Sequence, residues 1–181
     1  MVTTATNGYR EVFVDESKVK DYLLVAVCLE RSSTRAARSA LTGLVLRGQS
    51  RLHMRKESDA RRRLILSTIA SLPVEVTVFR AVKDGRSDTA RRAACLRRLV
   101  AATAVSPRVS VCFERDETLI RKDRQWIVEA TRDSGGARLV HRHETAAHEP
   151  LLALPDAVGW AWAKGGDWRR RCRPEINVID V

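Results

Sequence analysis

A chain of 181 residues has room for one ordinary domain with a core of its own. Its composition, 44% hydrophobic and 30% charged with nine glycines and five prolines, excludes a disordered, collagenous or fibrous protein. The formal net charge of +11, from 33 Lys and Arg against 22 Asp and Glu, favours polyanionic partners, nucleic acid (DNA or RNA) first among them.

Residues 1–9 carry neither the basic start nor the apolar stretch of a secretory leader, and are expected to be loosely attached. No run approaches the roughly 18 apolar residues of a membrane span, so no membrane partner and a cytoplasmic location are expected. Two strand-like runs follow, 11–14 (EVFV) and 22–29 (YLLVAVCL), separated by the short charged stretch SKVKD, which predicts an antiparallel hairpin. Ser32 or Ser33 is read as the N-cap of a helix carrying Ala37, Ala40, Leu41, Leu44 and Val45 on one stripe. RLHM at 51–54 is read as a third strand, and Ser58 as the cap of a basic helix that ends before Pro73. Residues 74–82 (VEVTVFRAV) form a strand. Ser87 or Asp88 then opens a helix through Val100, followed by Pro107 and by a strand at 109–113. Residues 118–132 read as a helix with Leu119, Trp126, Ile127 and Ala130 on one face. Gly135 and Gly136 break it, ARLVH from 137 is a short strand, and an apolar helix covers 151–164. This order predicts a single α/β domain whose mixed central sheet is opened by an antiparallel hairpin and flanked by helices.

The arginines cluster. Arg61, Arg62, Arg91, Arg92, Arg97, Arg98, Arg169 and Arg170 are the candidate phosphate contacts. The four cysteines, Cys28, Cys95, Cys112 and Cys172, lie far apart with no zinc spacing, and read as reduced thiols.

Three acids stand at element ends. In EVFVDES the period-2 alternation sets Val12 and Val14 on one face and Phe13 and Asp15 on the other, so that Asp15 emerges where the strand leaves the core. In VSVCFER the same count places Glu114 on a face with Ser110 and Cys112, again at the carboxyl end, where open α/β sheets bind ligands. In HEPLLALPDAVGWAWAKG, Asp156 is the only carboxylate between Pro150 and Ala163, with Glu149 seven residues earlier. Each has an ordinary alternative: Asp15 as a turn residue, Glu114 as a surface partner of Arg115 or another nearby arginine, Asp156 as a first-turn acid stabilised by the helix dipole. Carboxylates that converge from three elements repel one another unless a cation lies between them, so convergence implies a hard divalent ion, Mg2+ or Mn2+.

These features resemble the RNase H-like nuclease superfamily and, within it, the bacterial family domain of unknown function 3800. The resemblance rests on Asp15-Glu16-Ser17 ending a first strand, the apolar YLLVAVCL strand, the His-bearing RLHM, and the late LPDAVGWAWA helix, and it spans most of the chain. It implies metal-dependent phosphodiester hydrolysis or a derived nucleic-acid role, with Asp15, Glu114 and Asp156 in the acidic positions. Pro155 departs from the family pattern.

Glu149 is added as a further metal ligand on its helical spacing from Asp156, and Glu16, Asp123 and His53 as secondary site residues, His53 as a proton shuttle. His141, His143 and His148 offer a zinc alternative, and Trp160 and Trp162 either stack bases or pack. Two functional readings follow: a divalent-metal-dependent nuclease, and a non-catalytic nucleic-acid-binding or partner-binding module on the same fold. A small-molecule α/β enzyme lacks support, since no glycine-rich phosphate loop follows any strand.

Overall fold

The hairpin that opens the sheet is β1 (Arg10–Ser17) and β2 (Tyr22–Glu30), paired antiparallel with Phe13 opposite Val27 and Asp15 opposite Val25. The computed structural model describes residues 8–104, 106, 108–135, 139–172 and 175–181. After the hairpin come α1 (Arg31–Thr42), the short 3-10 turn Met54–Lys56, α2 (Asp59–Ala70) and β3 (Glu75–Ala81). Next are α3 (Asp88–Thr103), β4 (Val109–Glu114), α4 (Ile120–Asp133) and β5 (Val140–Glu144). A second 3-10 turn, Pro150–Leu152, leads into α5 (Ala153–Lys164), α6 (Gly166–Arg171) and β6 (Ile176–Asp180).

The six strands lie in the order β5-β4-β1-β2-β3-β6, with β1–β2 and β2–β3 antiparallel and β1–β4, β4–β5 and β3–β6 parallel. The expected mixed sheet, opened by a hairpin and flanked by helices, is the sheet observed.

Alternation along the strands builds two cores. Phe13, Val25, Val27 and Cys112 face α1, α2 and α5; Val12, Val14, Leu24 and Phe113 face α3 and α4. Phe13 and Leu24 are fully buried, and each such side chain contributes about 1.5–3 kcal/mol by leaving water. Register is thereby pinned. A slip of one residue would exchange the two apolar sets and carry Asp15 to the wrong side of the sheet.

Caps at Ser58 and Ser87 form as the sequence predicts, each side-chain oxygen accepting a first-turn amide, from Arg61 and Ala90 respectively. Elsewhere the structure corrects the sequence. The first helix starts at Arg31, so Ser32 and Ser33 lie inside it, and Leu44 and Val45 pack on the core from beyond its end. RLHM is not a strand: Leu52 and Met54 are buried, but the amide of Met54 donates to the Asp156 carboxylate and that of Lys56 to the His53 carbonyl, closing a turn. The Met54 amide is thus given to a side chain, and none of the ladders of the sheet includes the segment.

Pro155 is the third residue of α5, in the first turn, where its missing amide hydrogen removes no intrahelical bond. Strand β6 and helix α6 have no counterpart in the sequence reading, although Ile176, Val178 and Asp180 do alternate with Asn177 and Ile179. Of the segment expected to be loose, Tyr9 is anchored: its carbonyl accepts the Arg31 amide at 2.8 Å and its ring lies under the Arg31 guanidinium. Residues 1–7, Pro107, Gly136 and the start of the ARLVH segment lie outside the described residues.

Candidate active site

Parallel pairing of β1 with β4 sets Val14 beside Phe113, so Asp15 and Glu114, one residue further on, leave the sheet abreast and on the same face. On that face α5 packs across β1, and its first turn carries Asp156. Gly159, one turn later, makes the close approach possible: a Cβ there would sit 3.3 Å from Cγ2 of Val25 and 3.7 Å from Cβ of Ser17. The three acids line one cleft of about 590 Å³ together with His53, Trp160 and the cations Lys18, Lys20, Arg55 and Lys164.

The carboxylates sense one another. Burial, followed by the charges of Glu114 and Asp156, holds Asp15 well above the usual carboxylate range. The Glu16 amide, donating to Oδ1 of Asp15 at 2.7 Å, offsets this in part. Asp156 is likewise raised, mainly by burial, with the Met54 amide at 2.9 Å and His53 acting against it.

Two nitrogen-bearing side chains stand against the acids. Arg51 donates to Oε1 of Glu114 at 2.6 Å, and His53 turns Nδ1 toward Oδ2 of Asp156 at 3.6 Å. That buried Nδ1 has no hydrogen-bond partner among the described residues. Also among the described residues, no group of three or more His, Cys, Asp or Glu side chains forms a ready-made metal cage. The donor chemistry nonetheless fits a hard cation: all-oxygen carboxylates whose mutual repulsion a cation would balance, and an orphaned imidazole nitrogen beside them.

The other expected ligands go elsewhere. Glu149 is far along the sheet, held bidentately by Arg38 at 3.0 Å and by Arg142 at 3.1 Å, and it caps the turn before α5 instead of sharing a face with Asp156. The helical run begins after Glu149, whose own backbone is extended, so the seven-residue spacing loses its meaning.

Glu16 and Asp123 lie on the opposite face of the sheet, around Arg92. This guanidinium bonds Asp123 at 2.7 and 2.8 Å, Glu16, and the Tyr22 hydroxyl at 3.2 Å. Nε2 of His143 lies 3.1 Å from Asp123. Burial opposes the charge on Arg92, but its bonds to Asp123 and the surrounding anions outweigh burial and raise its pKa. For Asp123 burial acts upward, and the bonds from Arg92 and His143 win and lower it. Zinc ligation by the histidines finds no support: His143 serves Asp123, its ring centroid is 6.1 Å from that of His141, and Nδ1 of His148 meets the Thr145 hydroxyl.

Half of the candidate phosphate contacts are committed inside the fold. Arg91 is buried and bonded to the Val82 carbonyl, Asp88 and Asp84. Arg61 bonds Glu57 and the Leu44 carbonyl, and Arg62 bonds the Met54 and Arg55 carbonyls and Asp59. Arg97, Arg98, Arg169 and Arg170 are exposed, but Arg97 and Arg98 ride on α3, across the sheet from the cleft. A run of arginines records charge and not direction, which is why the sequence could not separate these roles. Lys18, Lys20, Arg55 and Lys164 were missed, although Lys18 and Lys20 directly follow the Asp15 strand and so had to lie at its mouth.

No family model and no curated protein matches the chain. Among solved structures it is similar to RNase HII from Archaeoglobus fulgidus, determined in complex with PCNA, with a TM-score of 0.58 and 13% identity over 85% of this chain and 72% of that one. Together with the mixed six-stranded sheet and its flanking helices, this likeness establishes an RNase H-like fold for the chain.

Proposed function

We propose that the chain is a divalent-metal-dependent nuclease that hydrolyses phosphodiesters of nucleic acid. The observation that carries this reading is the meeting of Asp15, Glu114 and Asp156 in one cation-rimmed cleft, delivered by two parallel strand ends and a helix. The finer resemblance to the domain of unknown function 3800 agrees with it through the Asp15-Glu16-Ser17 strand end and the LPDAV helix.

Asp15, Glu114 and Asp156 would hold Mg2+ or Mn2+, which when bound supplies Lewis-acid stabilisation of phosphoryl charge and lowers the pKa of water. The remaining work falls to the chain's own groups. Lys18, Lys20, Arg55 and Lys164 hold phosphates at the rim, and Trp160 walls the cleft. His53, with Nδ1 toward Asp156, accepts or returns a proton beside the reacting phosphate.

The test is a panel of single-stranded, double-stranded, RNA and hybrid substrates with magnesium, manganese or chelator. Cleavage is expected with either metal, none with chelator, and none with Asp15→Asn at unchanged circular dichroism. Activity that survives both chelation and Asp15→Asn would sink the reading.

A second reading, a non-catalytic nucleic-acid-binding module, draws on Arg51. Its guanidinium on Glu114 already balances part of the acidic charge. Under that reading binding is salt-sensitive, indifferent to metal, and unaccompanied by cleavage.

A further inference from the structure

Three of the four tryptophans gather where α5 meets α6, and each faces a guanidinium. Arg62 lies 4.6 Å from the Trp160 ring centroid, Arg63 lies 5.5 Å from that of Trp168, and Arg169 lies 3.3 Å from that of Trp162. Trp160 and Trp168 meet edge to face at 5.1 Å. All three rings pack one side on the core and remain partly exposed, while Arg63 and Arg169 are exposed.

This surface joins the acidic cleft, because Trp160 is at once a cleft wall and the first ring of the Trp160–Trp168 pair. The junction is sharp: Gly165 and Gly166 have φ of 75° and 54°, a left-handed pair that β-carbon-bearing residues resist, and they fold α6 back beside the end of α5. Lys164, just before the turn, lines the cleft as well.

We infer that this patch receives a single-stranded flank of nucleic acid leaving the acidic cleft, with unpaired bases stacking on the guanidinium planes that Arg62 and Arg63 lay over Trp160 and Trp168, and with Lys164 and Arg169 taking phosphates. Base faces are hidden inside a duplex and available only in an unpaired strand, so aromatic rings with interleaved guanidiniums match single strands in particular. Packing of α6 alone would explain ring burial, but it gives no reason for cations to cover the ring faces along a path that begins at the cleft. The inference deepens the nuclease reading and rests on it for the presence of nucleic acid in the cleft.

The experiment uses the full-length Asp15→Asn chain in chelator, so that nothing is cleaved. Fluorescence anisotropy compares a blunt duplex, the same duplex with an oligo-dT tail at either end, and free oligo-dT, while tryptophan emission is followed. A tail at one end should tighten binding roughly 10-fold, the gain of stacking one or two bases, and quench emission. Trp168→Leu should abolish the gain contributed by the tail. Arg63→Glu, a surface change that spares the core, should do the same even where a tryptophan variant fails to fold. Equal affinity for blunt and tailed duplexes with unquenched emission would overturn the inference and leave the nuclease reading standing. If no nucleic acid binds at all, both fall.

Discussion

At the scale of single residues, Asp15 and Asp123 show how two acids withdrawn from water are shifted in opposite directions. Asp123 is flanked by Arg92 and His143, whose bonds outweigh burial and lower its pKa; Asp15 is raised by burial first and then by the charges of Glu114 and Asp156. For Asp15 the folded chain keeps a proton that the unfolded chain has released, so between about pH 4, the ordinary carboxylate value, and its raised pKa, stability falls as pH rises. Asp15→Asn should therefore melt higher than the native chain at neutral pH, by a few degrees if the strain is worth about 1 kcal/mol in a domain of this size. The difference should vanish below about pH 4. Calorimetry across pH checks this, and a lower Tm for Asp15→Asn at neutral pH would refute the like-charge account. The sign reverses for Asp123, whose contribution is full above the ordinary carboxylate range and is lost as pH falls through the depressed value. Asp123→Asn leaves Arg92 buried beside fewer anions and should cost about 3–5 kcal/mol, measured by urea unfolding at neutral pH. Neither difference could be read from the sequence, where Asp15 stands next to Glu16 and Asp123 between Lys122 and Arg124, none of which decides the shift.

Among elements, α5 decides whether the site exists. Its position depends on Gly159, whose missing side chain lets the helix reach Val25 and Ser17. Gly159→Ala has to be absorbed by a shift of a few tenths of an ångström at Val25. Gly159→Val is overpacked, and should lose about 1–3 kcal/mol of stability while lifting Asp156 away from Asp15. Urea melts paired with metal-dependent cleavage assays test it: cleavage lost out of proportion to unfolding marks displacement of Asp156, and full cleavage by Gly159→Val would show that helix position is not limiting. The elements themselves were largely legible. Strands β1 to β4, the Ser58 and Ser87 caps and the late helix follow from period and capping chemistry. RLHM was misread because four residues alternate equally well in a strand and in a turn that buries Leu52 and Met54. Strand β6 was passed over, since a short alternating segment has little weight until β3 offers an edge to pair with.

For the whole molecule, the net charge of +11 is less informative than its distribution. Arg91 and Arg92 are spent on internal anions and Arg97 and Arg98 face away from the cleft, so the polyanion should be felt by Lys18, Lys20, Arg55 and Lys164. Each duplex phosphate contact contributes about −0.9 to the slope of log K against log salt. The double variant Lys18→Ala, Lys20→Ala should flatten that slope by about two contacts' worth. Arg97→Gln with Arg98→Gln should leave it unchanged. Binding isotherms across a sodium chloride series separate the two, and the opposite ranking would place the interface on α3.

Much of this was already decided by local pattern. Alternation sends Asp15 and Glu114 out at strand ends and turns Glu16 the other way, because side chains in a strand change faces at every residue. The small set of apolar strands and helices requires a layered α/β domain, because each apolar stripe has to be covered. Which acids meet was a tertiary matter. Asp15, Glu114 and Asp156 come together only through the parallel β1–β4 ladder and the seat that Gly159 provides for α5, and Glu149 is excluded because the helical run begins only after it, which its spacing could not reveal. The fate of each arginine was tertiary as well. A guanidinium's long reach lets a distant carboxylate claim it, and those carboxylates become neighbours only when strands and helices far apart in the chain are packed together.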